Sequence, residues 1–475
     1  MKIWGSAEVL TEKEIVKIEN DMFDIFEKIG FKIESEEVRR LLLSDSVKAD
    51  GEVVYFSRKY IKNFLDESEK VLTDFSKQIE CYAGAYPQHY LDHDAALPVS
   101  HTMQSLKNMT ILADRLKNID SIYGCMGVPD DVPKKTVQLY QRLVSWKYTG
   151  KSHKEDLFST SIFKEGFGGV SSIDLCPFVL EMGNIMAAEE GGKCSDYCFG
   201  DLQLISPLKF SKIQADILIY LYKNGCRCSL GSILSLGGTA PITIEDALPL
   251  QLAETLFCNI IERIFFGKKY LEISNSMTPL DMRNGLFFYG RPELSMTNLA
   301  MGQLARRYGA IFVCNSFLCD AKVPSSEAGM QKTISAVASV LAGAKGFGCA
   351  GLLSVDEVGS PIQLIIDDEF AGALKRFAGG EEFEGQADVI SMLKSVGHGG
   401  HFIALEHTVN NFKKNWEPNL FSRNMLSGWK SIGYKTDIDF AKEIYINILK
   451  ADEKIYIKDY TEKELLKVIN RAEKN

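Results

Sequence analysis

The sequence predicts an α/β protein in which a (β/α)8 barrel, or TIM barrel, follows a helical N-terminal region. Beyond about residue 100, short apolar runs alternate with amphipathic helical stretches. Eight such runs can be placed between Ser121 and Leu405, and each gap is long enough for a parallel crossover. An open doubly wound sheet also alternates strands and helices, but a count of eight favours the barrel.

Residues 1–99 are predicted to form the helical N-terminal region, packed on a barrel that occupies residues 100–475 with its C-terminal helices. Thr11 and Glu14 have the spacing of a capping box, which predicts a first helix that ends at Gly30. The stretch Cys81–Ser100 has no clear period and is interpreted as an ordered connection.

The barrel region supplies the strands and helices of the predicted alternation. The predicted strands are Ser121–Val128, Ser145–Ser152, Tyr197–Ile205, Arg227–Leu234, Tyr270–Asn275, Ala310–Ser316, Phe347–Ser354 and His401–Leu405. The predicted helices are Lys134–Leu143, Phe178–Glu190, Lys209–Lys223, Ile244–Phe266, Glu293–Tyr308, Glu327–Ala344 and Gln363–Leu393, the last of them interpreted as two helices.

Composition excludes several classes of protein. The 475 residues are 45% hydrophobic and 25% charged, as in globular proteins. The net charge of −9 disfavours a nucleic-acid partner, which usually requires a basic excess. The chain starts without a signal-peptide pattern, and no uncharged apolar run reaches about 18 residues. We therefore expect a cytoplasmic protein without a membrane partner, in which the 11 cysteines are reduced and mostly buried.

Two motifs suggest sites that their context does not support. Residues 346–351 read G-x-G-x-x-G, but a helix precedes this motif and a strand follows it, the reverse of a dinucleotide site. His398, His401 and His407 could suggest a metal cluster, but we predict no metal and consider hydrogen bonding in the pocket or at the barrel rim instead. Cys194-x3-Cys198 and Cys226-x-Cys228 match neither redox nor zinc-finger spacing and are interpreted as core or strand-edge residues.

Candidate site residues lie within or just after the predicted strands, because the chemistry of these barrels occurs at the carboxyl ends of strands. The polar candidates are Asp201, Ser206, Thr239, Ser276, Asp281, Asp320, Lys322 and His407. The aromatic candidates, for each of which core packing is the alternative, are Tyr123, Trp146, Tyr148, Phe199, Phe287, Tyr289 and Phe317. Asp367–Glu369 is predicted to open a helix, where negative charge offsets the helix dipole.

A series of motifs resembles the trimethylamine methyltransferase family, which also contains glycine betaine methyltransferases. The motifs are Asp281-Met282-Arg283-x-Gly285, Tyr289-Gly290-x-Pro292-Glu293, Gln303-Leu304-Ala305-Arg306-x-Tyr308, Asp320-Ala321-Lys322, Glu327-Ala328-Gly329, Ile366-Asp367-Asp368-Glu369, Gly399-Gly400-His401-Phe402 and His407-Thr408. Their order and spacing carry the resemblance, and weaker matches extend it over nearly the whole chain. Founding members contain pyrrolysine, whereas this chain has standard residues and therefore resembles the branch without it.

The resemblance implies a TIM barrel that moves a methyl group from a quaternary amine to Co(I) of a separate corrinoid protein. Corrinoid carriers commonly show Asp-x-His-x-x-Gly, which does not occur here, so we expect this chain to bind no cofactor and a partner to carry the corrinoid. A quaternary ammonium has no N–H group and needs aromatic faces or a carboxylate. A homo-oligomer is also expected.

On these grounds the predicted substrate-binding residues are Tyr123, Trp146, Tyr148, Phe199, Asp201, Arg283, Tyr289, Phe317, Lys322, His401 and His407. A betaine carboxylate would need a donor, for which Arg283, Lys322, His401 and His407 are candidates, although Arg283 could instead pair with Asp281. No residue is assigned as catalytic. A barrel lyase or isomerase without corrinoid, and a non-catalytic binding protein, stay open as alternatives.

Overall fold

A computed structural model describes residues 1–71, 73–94, 97–151, 172–381 and 388–474 of the chain. The helices are α1 Glu12–Asp24, α2 Glu36–Leu42, α3 Arg58–Asp66, α4 Met103–Arg115, α5 Val137–Tyr148, α6 Ser172–Glu190, α7 Lys212–Lys223, α8 Ile244–Phe266, α9 Pro292–Tyr308, α10 Ser326–Ala342, α11 Pro361–Gly379, α12 Val389–Val396, α13 Glu406–Asn411, α14 Leu426–Ser431, α15 Asp437–Lys450 and α16 Asp459–Lys474. The strands are β1 Phe31–Ile33, β2 Val47–Asp50, β3 Val53–Phe56, β4 Glu80–Ala83, β5 His89–Tyr90, β6 Val99–Ser100, β7 Ser121–Ile122, β8 Phe199–Gln203, β9 Lys209–Phe210, β10 Arg227–Gly231, β11 Ser235–Leu236, β12 Glu272–Asn275, β13 Thr278–Pro279, β14 Ile311–Cys314, β15 Gly346–Ala350, β16 Leu352–Leu353 and β17 Val358–Gly359.

The N-terminal region combines helices with a small sheet. The capping box at α1 is confirmed, since the Thr11 hydroxyl accepts from the Glu14 backbone and Glu14 accepts from the Thr11 backbone. The sheet has the order β2-β3-β1-β9, so it joins this region to the chain near residue 210. Phe31 stacks on Phe257 of α8 with ring centroids 4.2 Å apart, which places both regions in one hydrophobic core.

Parallel strands alternate with helices beyond this region, which confirms a mixed α/β protein. The parallel pairs are β15 with β4, β4 with β7, β8 with β10, β11 with β13, β12 with β14, and β17 with β5. Along β8 and β10, alternate residues are buried, and the partly exposed set includes Asp201 and Ser229. This alternation places Asp201 and Ser229 on one face of the strands and packs Leu202 and Leu230 of the other face into the core.

Several predictions about elements are wrong within the described residues. Ser145–Tyr148, the first half of the predicted strand Ser145–Ser152, belongs to α5 instead, because Leu139, Leu143 and Trp146 bury one face at helical spacing, and Ser152 lies outside the described residues. His401–Leu405 is also not a strand, since it forms an exposed turn with no neighbouring strand to pair with its backbone. The predicted connection at Cys81–Ser100 instead contains parts of β4, β5 and β6.

The glycine motif lies largely within β15, which overlaps the predicted strand Phe347–Ser354. Gly346 begins β15, and a Cβ atom there would lie 2.6 Å from the Tyr82 ring and 2.7 Å from the Glu80 carbonyl of β4. The glycine therefore permits close approach of two strands. Within the described residues, no helix is both long and apolar enough to cross a membrane.

Candidate functional site

The loops that follow several parallel strands bring two tyrosines and a carboxylate together. Tyr86 follows β4, Tyr289 follows β13, and Asp356 follows β16. The Tyr86 hydroxyl hydrogen bonds to the Asp356 carboxylate, and Cys349 lies beside both tyrosines. Burial raises the pKa of Asp356 above its ordinary value, so its negative charge is poorly solvated and would gain from a bound cation.

The backbone before Asp356 is bent in a way that the sequence pattern does not encode. Ser354 and Val355 both have positive φ, at 50° and 70°. Such a conformation is a true outlier for a β-branched residue like Val355. Hydrogen bonds from Ser354 N to Ala321 O and from Val355 N to Cys319 O, each 2.7 Å long, hold the bend in place. The loop that carries Cys319 and Ala321 thus holds the strained bend in place. The bend directs Asp356 toward the tyrosines.

Tyr289 is fixed from the backbone side by Asp320. The carboxylate of Asp320 accepts hydrogen bonds from the Tyr289 and Gly290 N–H groups, both at 3.0 Å. Asp320 N donates to Gln331 Oε1 at 2.7 Å, and Lys322 Nζ donates to the Asp320 carbonyl at 2.8 Å. The Tyr289 hydroxyl also hydrogen bonds to the Asn315 side chain, and its ring stacks on Phe287 at 6.3 Å.

A second polar cluster surrounds Asp201 on β8. The Tyr123 hydroxyl donates to Asp201 Oδ2 at 2.7 Å, while Gln203 Nε2 and Ser229 Oγ donate to Oδ1 at 2.9 and 3.1 Å. Burial raises the pKa of Asp201 although these three hydrogen bonds favour its charged form. Tyr123 is 41% exposed, so this cluster is open to solvent on one side.

A buried ion pair supports the base of the site. Lys332 of α10 and Asp367 of α11 approach to 3.0 Å, and neither side chain is exposed. Lys332 donates to the carbonyl of Phe317 at 2.9 Å, and Asp367 accepts from Gly351 N at 2.7 Å. The prediction that Asp367 opens a helix is wrong, because α11 begins at Pro361 and buries Asp367 two turns further on.

The remaining predicted residues lie in varied places. Arg283 is 84% exposed and pairs with Asp281, the alternative that the sequence left open, and this pairing holds the pKa of Asp281 at about 2. Phe317 is fully buried and packs on Phe347, while Phe199 is partly buried at the start of β8. Trp146 is buried on α5, and Tyr148 ends that helix with Lys107 over its ring. His401 and His407 are exposed, His407 within α13.

The structure therefore brings together Tyr123 with Asp201, and places Tyr289 and Lys322 around Asp320. Sequence reasoning missed Tyr86, Asn315 and Asp356. Asp356 and Asn315 both lie at or near the ends of predicted strands, so the strand-end rule could have found them. Tyr86 follows β4, a strand that was not predicted.

Comparison with known proteins gives a family match over the length of the chain. The model of the family "Trimethylamine methyltransferase (MTTB)" matches residues 2–475. A glycine betaine methyltransferase of Desulfitobacterium hafniense strain Y51 is 26% identical over 443 residues, which cover 89% of this chain and 88% of that protein. A trimethylamine methyltransferase MttB of strain DCB-2 is 22% identical over 454 residues, covering 93% and 89%.

An archaeal relative matches a shorter part. Trimethylamine methyltransferase MttB of Methanosarcina thermophila is 28% identical over 245 residues, or 52% of this chain and 51% of that protein. The chain belongs to the trimethylamine methyltransferase family, and its standard residues place it in the branch without pyrrolysine. It is accordingly a transferase of the methyltransferase class.

Proposed function

We propose that this protein transfers a methyl group from a quaternary amine of the betaine type to Co(I) of a separate corrinoid protein. Family membership and the name of the glycine betaine relative support the reaction class. The observation that carries the substrate class is the grouping of Tyr86, Tyr289 and buried Asp356 at the strand ends. Aromatic faces and a poorly solvated carboxylate are what a cation without N–H groups requires.

We also propose that the parallel strands of this α/β protein close into a (β/α)8 barrel. The proposed order is β4, β7, the segment at Lys151, β8, β10, β12, β14 and β15. Contacts between neighbours support it: Ile122 N donates to Lys151 O at 3.0 Å, and Phe312 of β14 bridges Ala344 in parallel. In such a barrel the loops that carry Tyr86, Tyr123, Tyr289 and Asp356 would all open at one end.

The residues of this chain would act by binding and orientation. A quaternary nitrogen is already positively charged, so its departure as a neutral amine needs no proton from the protein. The tyrosine rings would hold the ammonium from its sides, each contributing about 0.5–2 kcal/mol, and Asp356 would neutralise its charge. The remaining N–CH₃ bond would point out of the pocket, where orientation against the acceptor lowers the barrier. The partner's corrinoid supplies the Co(I) nucleophile as a co-substrate.

Exposed apolar side chains on the strand-end loops support docking of a partner protein there. These residues are Ile205, Ile242, Met282, Leu286, Phe287 and Val323, each at least 41% exposed. Exposed apolar side chains on neighbouring loops are typical of protein contacts. We name this set the apolar rim. Lys322 lies on the same loops and remains a proposed partner of a betaine carboxylate, whereas Arg283 is engaged by Asp281.

A methyl-transfer assay tests the proposed function. The purified chain is mixed with a cognate Co(I) corrinoid protein and, in turn, glycine betaine, proline betaine, carnitine and γ-butyrobetaine. We expect methyl-Co(III) absorbance with at least one amine and none when either the amine or the carrier is omitted. Turnover without a carrier would contradict the proposal, as would amine binding without methyl transfer to any carrier.

A further inference from the structure

Three thiols lie at the amino-terminal ends of β8 and β10. The loops of the proposed amine site follow the carboxyl ends of their strands, so this cluster is separate from them. Cys198 directly precedes β8, Cys226 directly precedes β10, and Cys194 lies on a single 3-10 turn, Cys194–Asp196. The Sγ atoms of Cys194 and Cys198 are 3.7 Å apart, in contact with each other. Cys226 lies near both thiols and interacts with each of them.

The surrounding fold leaves room for the two sulfur atoms. Gly183 of α6 faces them, and a Cβ atom there would lie 2.3 Å from Cys198 Sγ and 3.2 Å from Cys194 Sγ. Cys198 is buried, whereas Cys194 is partly exposed on its short turn. One thiol is therefore accessible to a small reagent, and the second lies behind it within reach.

A buried cation adjoins the cluster. Arg142 of α5 is 1% exposed. Its guanidinium donates at 3.5 Å to the carbonyl of Tyr197, a residue that lies between Cys194 and Cys198 in the sequence. Hydrogen bonds from Cys198 and Cys226 lower the pKa of Cys194, and the charge of Arg142 acts in the same direction. A thiolate beside a positive group and next to a resolving thiol is the usual setting of an oxidisable cysteine.

We propose that Cys194 and Cys198 form a dithiol site that a hydroperoxide oxidises to a reversible disulfide. The Cys194 thiolate attacks the terminal oxygen of the hydroperoxide and the O–O bond breaks, which yields a sulfenic acid on Cys194 and releases an alkoxide, or hydroxide when the oxidant is hydrogen peroxide. The Cys198 sulfur then attacks the Cys194 sulfur, the S–S bond forms, and the hydroxyl group departs with the Cys198 proton as water. Two thiols are oxidised and one peroxide is reduced. The 3-10 turn supplies the movement that shortens the contact to about 2.05 Å.

A thiolate metal site is the competing interpretation of three cysteines. Zinc would need all three sulfurs at similar mutual distances. Among the described residues, Asp92, His93 and Asp94 have ligand atoms that all lie within 4.8 Å of one another. The three cysteines do not form such a group. The adjacent Arg142 charge also opposes a divalent cation. The close Cys194–Cys198 pair therefore favours disulfide chemistry.

Peptide mass spectrometry of the full chain tests the pair directly, because trypsin places Cys194 and Cys198 together on peptide 194–209 and Cys226 alone on peptide 224–227. The reduced protein is treated with hydrogen peroxide, blocked with an alkylating reagent and digested. We expect peptide 194–209 to be two hydrogen atoms lighter than the reduced peptide and to carry no alkyl group. Reduction before alkylation should restore the doubly alkylated peptide. Cys198→Ser should instead give a dimedone-reactive sulfenic acid on Cys194.

The matched control is Cys258→Ser, which removes a buried thiol of α8 and should leave the mass change intact. Slower oxidation in Arg142→Lys, at unchanged folding by circular dichroism, would support the role of the guanidinium. Full alkylation of both cysteines after peroxide treatment would overturn the proposal. So would cross-linking of peptide 194–209 to peptide 224–227, or zinc retained by the purified chain that protects all three thiols. The result is independent of the methyl-transfer assay.

Discussion

At the scale of single residues, the proposed amine site depends on how Tyr289 is held. Asp320 fixes the backbone of Tyr289 with two hydrogen bonds, and the side chain is 8% exposed. Its hydroxyl is engaged with Asn315, so the ring face is the part left to contact a cation. Cation–π attraction depends on the ring and little on the hydroxyl.

Two substitutions at Tyr289 separate these contributions. Tyr289→Phe keeps the ring and should change the affinity for tetramethylammonium little. Tyr289→Leu removes the ring and should weaken binding by about 0.5–2 kcal/mol, or about 2- to 30-fold. Isothermal titration calorimetry measures both. Equal affinities for the Phe and Leu variants would show that the ring does not contact the ammonium.

The carboxylate of Asp356 predicts a pH dependence. Because burial raises its pKa in the folded protein, Asp356 favours folding in its protonated form, and that stability is lost as the pH rises through the raised pKa. A bound cation stabilises the ionised form. The affinity for tetramethylammonium should therefore fall as the pH is lowered through this pKa, at a higher pH than an ordinary aspartate would give.

Calorimetry at a series of pH values tests this expectation, since tetramethylammonium does not titrate. Asp356→Asn should lower the affinity about tenfold at neutral pH, equivalent to about 1.4 kcal/mol, and should flatten the pH profile. Asp201→Asn is the control and should keep the slope, because Asp201 belongs to the Tyr123 cluster. A slope that disappears in Asp201→Asn but survives in Asp356→Asn would place the cation at the other cluster.

At the scale of elements, the pair Lys332–Asp367 ties α10 and α11 to the strand ends. Neither side chain is exposed, so removing one partner leaves a buried charge without compensation. Lys332→Met should lower the apparent free energy of unfolding by about 3–5 kcal/mol, as measured by urea denaturation. The loss should be smaller at low pH, where the remaining carboxyl group is protonated and its burial costs less.

A double variant and a surface control complete this test. Lys332→Met combined with Asp367→Leu should be more stable than Lys332→Met alone, because no unpaired charge remains. Lys435→Met removes one partner of the exposed pair Lys435–Glu443 and should cost about 0–1 kcal/mol. If Lys332→Met unfolds at the same urea concentration as the original protein, the pair does not stabilise the fold.

The strands and helices also differ in how well the sequence predicts them. Strands such as β8, β10 and β14 were predicted because apolar runs stood between strongly periodic helices. Strand β4 was missed because its four residues alternate within a stretch rich in Tyr and His, too short for a period to appear. The strand-end rule named Tyr289, Tyr123 and Asp201 as candidates, which stay predictions. Asp356 follows the predicted strand Phe347–Ser354 and was overlooked, while its approach to the tyrosines depends on the positive φ of Ser354 and Val355, which the pattern does not encode.

At the scale of the whole molecule, charge and apolar surface suit the two proposed partners. The net charge of −9 favours attraction of a cationic substrate. Met282, Leu286 and Phe287 of the apolar rim lie on the loop that carries Tyr289, so a carrier docked on them would face the amine. Gly237 allows Met282 and Ile242 to approach each other within this rim, since both side chains lie within 3.1 Å of the position a Cβ would take.

A charged substitution in the apolar rim tests the docking surface. Met282→Asp should lower kcat/KM for the corrinoid protein about tenfold, while the affinity for the amine stays unchanged. Met282 is 66% exposed, so the change should leave folding intact. Leu41→Asp, at a 54% exposed position on α2, is the matched control and should transfer methyl groups normally. Equal losses in both variants, or none in Met282→Asp, would place the carrier elsewhere.

The most direct test of the account is a crystal structure of the chain soaked with a quaternary amine that the transfer assay identifies as a substrate. We predict electron density for the trimethylammonium group within about 6 Å of the ring centroids of Tyr86 and Tyr289, beside Asp356, with one methyl group toward the apolar rim. Density beside Tyr123 and Asp201, or at any site away from the two tyrosine rings, would contradict the central claim.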